Sequence, residues 1–444
     1  MSKTIDQPVT NRKKLFLAAG IGNFFEIFDF FVFVFLSSVI ADLFFPKNIG
    51  YLAIVFTYMT VTISYMLRPF GAIILGSLGD KYGRKSIFSL SILMTAIPSL
   101  VIGLSPTFHQ VGYFAVAILL ISRIFQGFSS GAEMPGSVTY IAETYHHKNY
   151  YFYSAWMPFG ANMSIALGSW AIRNMVEMMD HDFLYSFGWR IPFILGSLLA
   201  VIGFYIRKNI AESGDFQTAK AQHKVQKIPA FALFTTYRKE LIMGIFLVLI
   251  ASLITSVFHV FLPNLFVKFL HLELSVAANI SSVGALTVSA AIILSALLAS
   301  KINPIAIVKF SIVGLIIVLI LVLTGTLPLD NLKTLYSVVI LLSIFAGGVN
   351  GVYWGLLVDL FPVEVRYSGV AACFSLASLI GGGLTPLWTS SILALTNDYR
   401  YIIAICLFAS ILCLINSFFV ALYFTNRKCY FNNIVRYTQT DSKQ

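Results

Sequence analysis

A stripe of charged and polar residues lies inside a long apolar run that covers residues 111–142. Its members are Arg123, Gln126, Ser130 and Glu133. In a helix that turns by about 100° per residue, these four side chains fall within roughly one quadrant. An arginine and a glutamate at membrane depth are costly unless they are paired, so their presence predicts a functional site. The alternative interpretation is a buried ion pair that only fixes helix packing.

Two further carboxylates, Glu26 and Asp29, lie three residues apart in the first apolar segment and share one face of a predicted helix. Counting about 1.5 Å per residue from Lys14 places them about 18 to 22 Å into the membrane, near its midplane. Carboxylates at this depth either carry protons or neutralise a cation such as Arg123. We interpret Glu26, Asp29, Arg123 and Glu133 as a proton-coupling set.

Composition excludes a soluble protein. Hydrophobic residues make up 58% of the 444 residues, charged residues make up 11%, and the mean hydropathy is +0.84. Each membrane span needs about 20 apolar residues, so the chain has room for roughly twelve spans. The net charge of +11 would suggest nucleic-acid binding in a soluble chain. Here the basic residues lie in alternate loops, where membrane topology explains them, and we expect no nucleic-acid partner.

Motifs of enzymes and metal sites are missing from the sequence. It contains no HExxH, no P-loop and no dinucleotide-binding glycine pattern after a strand. The four cysteines have no metal-ligand spacing. We therefore expect no enzymatic activity, no cofactor and no metal.

The loop GSLGDKYGRK at residues 76–85 combines glycines, which allow close helix approach and a tight turn, with charges that can hydrogen-bond helix ends. It resembles the signature loop between helices two and three of the major facilitator superfamily. Four other segments are similar to the metabolite:proton symporter branch of that superfamily: GNFFEIFDF, RIFQGFSSGAE, FGWRIPF and DLFPVEVRYSG. That branch imports organic acids and zwitterions such as 2-oxoglutarate, citrate, shikimate, proline and betaine.

The resemblance implies an all-α integral membrane protein with twelve transmembrane helices in two six-helix halves. The expected boundaries are a first half at 1–206, a cytoplasmic linker at 207–239, a second half at 240–426 and a tail at 427–444. The Lys/Arg bias between loops predicts that both termini are cytoplasmic. We expect a monomer in the lipid of a bacterial inner membrane, acting as a secondary active transporter that moves a small organic solute together with protons by alternating access.

Two other functions stay open at this point. One is a proton-driven exporter of a carboxylate compound such as a siderophore. The other is a membrane receptor that binds a solute without moving it.

The remaining polar residues at membrane depth predict a substrate cavity. A guanidinium fork suits a substrate carboxylate, although Arg68 could instead neutralise Glu133. Tyr353 and Trp354 could form a cation-binding aromatic face or could only pack, and His259 could be an ordinary hydrogen-bonded residue. The predicted cavity residues are Arg68, Gln126, His259, Asn350, Tyr353 and Trp354.

A cytoplasmic gate is predicted from acids followed closely by bases. Such pairs occur after the fourth helix, beginning at Glu143, and after the tenth, between Asp359 and Arg366. In the second half, the loop that corresponds to residues 76–85 has Ser300 in place of the aspartate. Gating is therefore expected to depend mainly on Asp80, Arg84, Glu143 and Arg366. The full predicted gate set is Gly76, Asp80, Gly83, Arg84, Lys85, Glu143, Asp359 and Arg366.

Overall fold

The first half of the chain folds into long helices joined by short turns. A computed structural model describes residues 12–50, 52–145, 150–222, 226, 229–261, 274–329, 331–396 and 398–426. The helices of the first half are α1 (Arg12–Phe35), α2 (Ser37–Phe44), α3 (Leu52–Tyr82), α4 (Arg84–Leu104), α5 (Phe108–Val111), α6 (Tyr113–Tyr145), α7 (Tyr150–Met178), α8 (His181–Phe183) and α9 (Arg190–Lys208).

Two short helices, α10 (Gly214–Ala221) and α11 (Pro229–Thr235), lie between the halves. The second half contains α12 (Arg238–Thr255), α13 (Leu274–Ala299), α14 (Pro304–Leu323), α15 (Leu332–Leu360), α16 (Arg366–Ser378), α17 (Thr385–Thr396) and α18 (Arg400–Asn426). Wider π-helical turns follow α12 at Ser256–Phe261 and α16 at Leu379–Gly383, and the 3-10 turn Val363–Val365 precedes α16.

The lengths of the helices match the thickness of a membrane. Within the described ranges, ten helical segments are long and apolar enough to cross a bilayer, and α1 with α2, which are bent by 67° at their junction, make an eleventh. The helix α7 is not among these segments by apolar composition, but its 29 residues, about 43 Å at 1.5 Å per residue, are long enough to cross. Together these helices reach the predicted number of twelve.

Glycines bring α3 and α6 into close contact. A Cβ built on Gly71 would lie 1.8 Å from the carbonyl oxygen of Phe128, and a Cβ on Gly131 would lie 2.1 Å from the carbonyl oxygen of Arg68. A side chain at either position would therefore push the two backbones apart. This crossing sets Arg68, on α3, beside the polar stripe of α6.

The two halves meet along α3 and α16. A Cβ on Gly76 would lie 2.9 Å from the Cα of Ser368, and a Cβ on Gly79 would lie 2.2 Å from the ring of Tyr367. A second contact joins α7 to α13, where Ala155 packs with Val288 and two further apolar residues of α13. The first of these contacts brings residues from both halves into the gate described below.

The linker is partly helical, and Arg207, predicted as its first residue, lies within α9. The tail at 427–444 lies outside the described residues. The predicted domain boundaries and the cytoplasmic placement of both termini stay predictions.

Candidate functional site

Glu133 is fully buried and is held by Arg207, which reaches it from the end of α9. The Nη2 atom of Arg207 lies 2.5 Å from Oε1 of Glu133, and Nη1 lies 3.0 Å from Oε2. Ser91 donates a further hydrogen bond to Oε2. The guanidinium also stacks on the ring of Phe88, 3.6 Å from its centroid. The alternative in which Arg68 neutralises Glu133 is therefore wrong in this structure, because Arg207 is the counterion.

Several polar side chains surround Asp29 inside the first half. It accepts hydrogen bonds from the hydroxyl of Ser99 and from Nε2 of Gln126, the latter at 2.9 Å. Nη1 of Arg123 lies 4.0 Å from Oδ2 of Asp29, at the limit of an ion pair. The Arg123 guanidinium stacks on the ring of Phe33 at 3.5 Å, and its Nε and Nη2 atoms make no hydrogen bond. The predicted proximity of Asp29 and Arg123 is thus present, and Gln126 joins them through its hydrogen bond to Asp29.

Glu26 is buried with an incomplete set of hydrogen bonds. Its Oε1 accepts from the hydroxyl of Ser130, whereas its Oε2 has no hydrogen-bond partner. A small cavity between α1, α4, α6 and α9 is lined by Glu26 together with Asp29 and Glu133. A carboxylate with an open oxygen beside a cavity can take up and release a proton, whereas Glu133 already has a bidentate partner.

Arg68 is buried among aromatic rings. Its guanidinium carbon lies 3.9 Å from the centroid of Tyr65 and 5.9 Å from that of Phe30. Tyr65 in turn packs against Gly383, in the wide helical turn that follows α16, so this cluster lies where the two halves meet. Within the described residues, no carboxylate comes within 4.0 Å of Arg68, and its Nε makes no hydrogen bond.

Three of the four predicted cavity residues of the second half, Asn350, Tyr353 and Trp354, lie on α15, whereas His259 lies in the π-helical turn after α12. Tyr353 and Trp354 are buried in the core with their ring centroids 4.9 Å apart, and the ring of Trp354 also packs at a tilt against Phe374, 5.0 Å away. Trp354 Nε1 and Asn350 Oδ1 are buried without hydrogen-bond partners. The side chain of His259 lies outside the described part of the structure.

The gate cluster, which we define as Asp80, Arg84, Glu143 and Arg366, is assembled across the two halves. Arg84 lies 3.1 Å from Asp80 and 3.2 Å from Glu143, measured between charged atoms. Arg366 contributes from the second half at 3.2 Å from Glu143. All four side chains are buried. In this structure the end of the molecule that carries the linker is therefore closed.

Asp80 also caps α16. Its carboxylate accepts from the backbone N–H of Tyr367 at 3.1 Å, the N–H of Ser368 at 2.8 Å and the hydroxyl of Ser368 at 2.6 Å. These N–H groups belong to the first turn of the helix, where a negative charge is favourable. Arg84 adds a hydrogen bond across the halves, to the carbonyl oxygen of Val363 at 2.6 Å.

Residues around α10 support the gate cluster. Asp215 lies 3.1 Å from Arg366, and Ser213 donates to Glu143 at 2.5 Å. Glu212 accepts from the backbone N–H groups of Arg84 and Lys85 at 3.0 and 3.2 Å, so Lys85 takes part through its backbone.

The other predicted gate residues have local roles. Gly76 permits the close contact with Ser368, and Gly83 adopts a φ of +117°, which favours glycine. Asp359 accepts hydrogen bonds from the hydroxyls of Tyr150 and Tyr151, the second at 3.0 Å, and so joins α15 to α7.

Sequence reasoning did not identify several of these contributors. They are Arg207, Glu212, Ser213, Asp215, Tyr150, Tyr151, Tyr367 and Ser368. Their partners are distant in sequence, and only the folded helices bring them together.

Comparisons with known proteins agree with this architecture. The sequence model that describes the Major Facilitator Superfamily matches residues 19–371 of this chain. The chain is 30% identical over 388 residues to a putative proline/betaine transporter of Staphylococcus haemolyticus, covering 87% of this chain and 82% of that protein. It is 28% identical over 384 residues to a citrate-proton symporter of Klebsiella pneumoniae, covering 85% and 84%.

Solved structures give the same result for the fold. A structure of the proton:xylose symporter XylE of E. coli superimposes with a TM-score of 0.74 at 16% identity, covering 91% of this chain and 94% of that one. The human organic anion transporter MFSD10 gives a TM-score of 0.70 at 14% identity, covering 93% and 100%. The predicted twelve-helix fold is confirmed. The chain belongs to the Major Facilitator Superfamily, and it is a multi-pass membrane transporter and not an enzyme.

Proposed function

We propose that the chain is a proton-coupled symporter that carries a small organic acid or zwitterion by alternating access. The observation that carries the proposal is the environment of Arg68. Its guanidinium is buried at the meeting of the two halves without a carboxylate within 4.0 Å among the described residues, whereas Arg84, Arg207 and Arg366 each have one. A buried charge of this kind is costly unless a partner arrives. A substrate carboxylate supplies that partner, and the guanidinium fork can hold it through two parallel hydrogen bonds.

Glu26 is the group that couples proton binding to solute binding in this proposal. Its side chain interacts electrostatically with Arg68 from beyond ion-pair distance, and one of its oxygens has no hydrogen-bond donor. A proton on Glu26 removes the negative charge that competes for Arg68. Protonation at Glu26 and carboxylate binding at Arg68 therefore favour each other, which is the thermodynamic requirement for symport.

The contacts of the gate cluster form and break in the proposed conformational change between the closed and open states of the linker side. Asp80 and Arg84 on the first half hold Ser368 and Val363 on the second, and these contacts must break for a cavity to open toward the linker. A closed cluster on one side is one of the two states that alternating access needs. Binding of solute and proton then shifts the balance between the two states.

The relatives favour a solute that contains a carboxylate. Proline, betaine and citrate, in the names of the two relatives described above, each carry at least one carboxylate. This chemistry agrees with an arginine as the recognition group.

Transport measurements in proteoliposomes test the proposal. A panel of labelled organic acids and betaines is offered outside, with an inward proton gradient. We expect at least one solute to accumulate above its external concentration, and a protonophore to abolish the accumulation. Accumulation driven only by an outward-directed gradient would indicate an exporter. Binding without any accumulation would indicate a receptor, and either result contradicts the proposal.

A further inference from the structure

The short helix α11 has two different faces. Pro229 and Leu233 are buried against the protein, and the backbone N–H of Ala230 donates to the hydroxyl of Ser77 at 3.3 Å. On the opposite face, Phe231 is 68% exposed and Phe234 is 46% exposed. Two large exposed aromatic rings on one short helix form an apolar patch that needs an occupant.

The position of α11 identifies that occupant. The helix ends three residues before α12, which begins at Arg238 and crosses the membrane. Ile242, in the next turn of α12, is 54% exposed and belongs to its lipid-facing surface. Because α11 directly precedes a membrane-crossing helix, we expect the aromatic patch to lie near the boundary between the hydrocarbon and the headgroups.

The charge of this boundary is positive. Arg238 and Lys239 are both exposed on the first turn of α12. The acid of the same turn, Glu240, is buried and accepts a hydrogen bond from the hydroxyl of Tyr423 at 2.8 Å, so it faces inward. Exposed aromatic rings beside exposed bases are the composition of an element that lies in a membrane interface.

We propose that the surface formed by Phe231, Phe234, Arg238 and Lys239, which we name the linker face, binds anionic phospholipid. The two bases contact the headgroup phosphates, and the two rings insert among the adjoining acyl chains. Basic side chains attract anionic lipid by roughly fivefold in affinity for each base.

Native mass spectrometry of the detergent-solubilised full chain, titrated with phosphatidylglycerol and separately with phosphatidylcholine, tests the proposal. We expect tighter binding of phosphatidylglycerol to the unmodified chain. The double variant Arg238→Gln with Lys239→Gln should weaken phosphatidylglycerol binding by roughly 25-fold and leave phosphatidylcholine binding unchanged. The double variant Phe231→Ser with Phe234→Ser should weaken the binding of both lipids.

The matched control is Lys301→Gln with Lys333→Gln, which removes two exposed bases outside the linker face and should change neither affinity. Unfolding temperatures in lipid-free detergent check that each variant folds, and the single variants Arg238→Gln and Phe234→Ser repeat the test with smaller changes. The proposal is overturned if the charge variants bind phosphatidylglycerol normally, if the control loses binding equally, or if the phenylalanine variants bind both lipids normally. The measurement needs no transported solute, so its result is independent of the proposed symport.

Discussion

Arg207 and Glu133 form a bidentate ion pair in the interior of the first half, with N to O distances of 2.5 and 3.0 Å, although they are 74 residues apart in sequence. Both side chains are buried. The pair ties the end of α9 to the middle of α6, and Ser91 of α4 joins it through a hydrogen bond. Glu133 is thereby fixed between three helices, which favours a structural role for it over the proton-coupling role predicted from its sequence position.

The first prediction concerns this pair. Arg207→Ala leaves Glu133 buried without its counterion, and breaking a buried pair in this way costs about 3 to 5 kcal/mol. We expect a clear fall in the unfolding temperature in detergent. Glu133→Gln combined with Arg207→Met removes both charges and should restore much of the loss. The exposed Arg400→Ala is the control, and an unfolding temperature of Arg207→Ala equal to that of the control would show that the pair contributes little.

A second prediction tests the crossing of α3 and α6. Gly71→Ala places a methyl group where the carbonyl oxygen of Phe128 lies, at 1.8 Å, so the two backbones must separate. Overpacking of this kind typically costs about 1 to 3 kcal/mol. Gly160→Ala on α7 is the matched control, because a Cβ there meets nothing within 4 Å. We expect a lower unfolding temperature for the first variant only, and equal values for both would contradict the packing described here.

The third prediction concerns Asp80. Its three hydrogen bonds to Tyr367 and Ser368 exist only while the two halves are closed on the linker side. Asp80→Asn removes the charge that makes these bonds strong, and a hydrogen bond to a charged group contributes about 1.5 to 3 kcal/mol. The open population on the linker side should therefore rise by at least about tenfold, because 1.4 kcal/mol corresponds to a factor of ten.

Spin labels on Tyr82→Cys, at the exposed end of α3, and on Lys301→Cys, in the exposed turn after α13, measure this opening as a distance distribution. Asp80→Asn should add a longer distance, whereas the control Asp182→Asn, at an exposed acid outside the gate cluster, should not. Solute affinity should change less than the cycling rate, since Asp80 does not contact the proposed solute site. An unchanged distance distribution would remove Asp80 from the gate.

The fold could be predicted from the sequence because the apolar segments and the loop at residues 76–85 are local signals. Hydrophobic length sets the number of spans, and the glycines and charges of that loop lie within ten consecutive residues. The charges of Asp80, Arg84, Glu143 and Arg366 are visible in sequence at helix ends, and the structure brings these four residues together, whereas their role as a gate stays a prediction.

The counterion of each buried charge was harder to predict from the sequence. The sequence offers Arg68 as a counterion for Glu133 because both residues lie at membrane depth, but depth says nothing about which face of a helix meets which neighbour. The counterion Arg207 was assigned to the linker because the chain becomes polar after residue 206, whereas α9 extends through Lys208. Long side chains such as arginine reach several ångströms beyond the backbone, so helix boundaries alone do not locate their charges.

The fourth prediction tests coupling. Glu26→Gln and Asp29→Asn each replace a buried carboxyl group by an amide of similar size that cannot bind and release a proton. We expect both variants to lose proton-driven accumulation while keeping some downhill flux of the solute, measured in the same proteoliposomes. The exposed Asp182→Asn is the control. Full accumulation in both variants would exclude these carboxylates from the mechanism.

The last prediction concerns Arg68 and decides how the solute is recognised. Lysine keeps the positive charge but offers a single donor group in place of the planar fork, so it cannot hold a carboxylate through two parallel hydrogen bonds. If Arg68 binds the solute, Arg68→Lys should weaken apparent affinity for carboxylate solutes by about 1 to 3 kcal/mol, with unchanged expression and unfolding temperature. If Arg68 serves only to pack against Tyr65 and Phe30, the fraction of Arg68→Lys protein that folds should bind the solute with normal affinity. Arg400→Lys is the matched control, because that side chain is exposed outside the site. Uptake rates measured over a range of solute concentrations separate the two cases, and an unaltered affinity would exclude Arg68 from the substrate site.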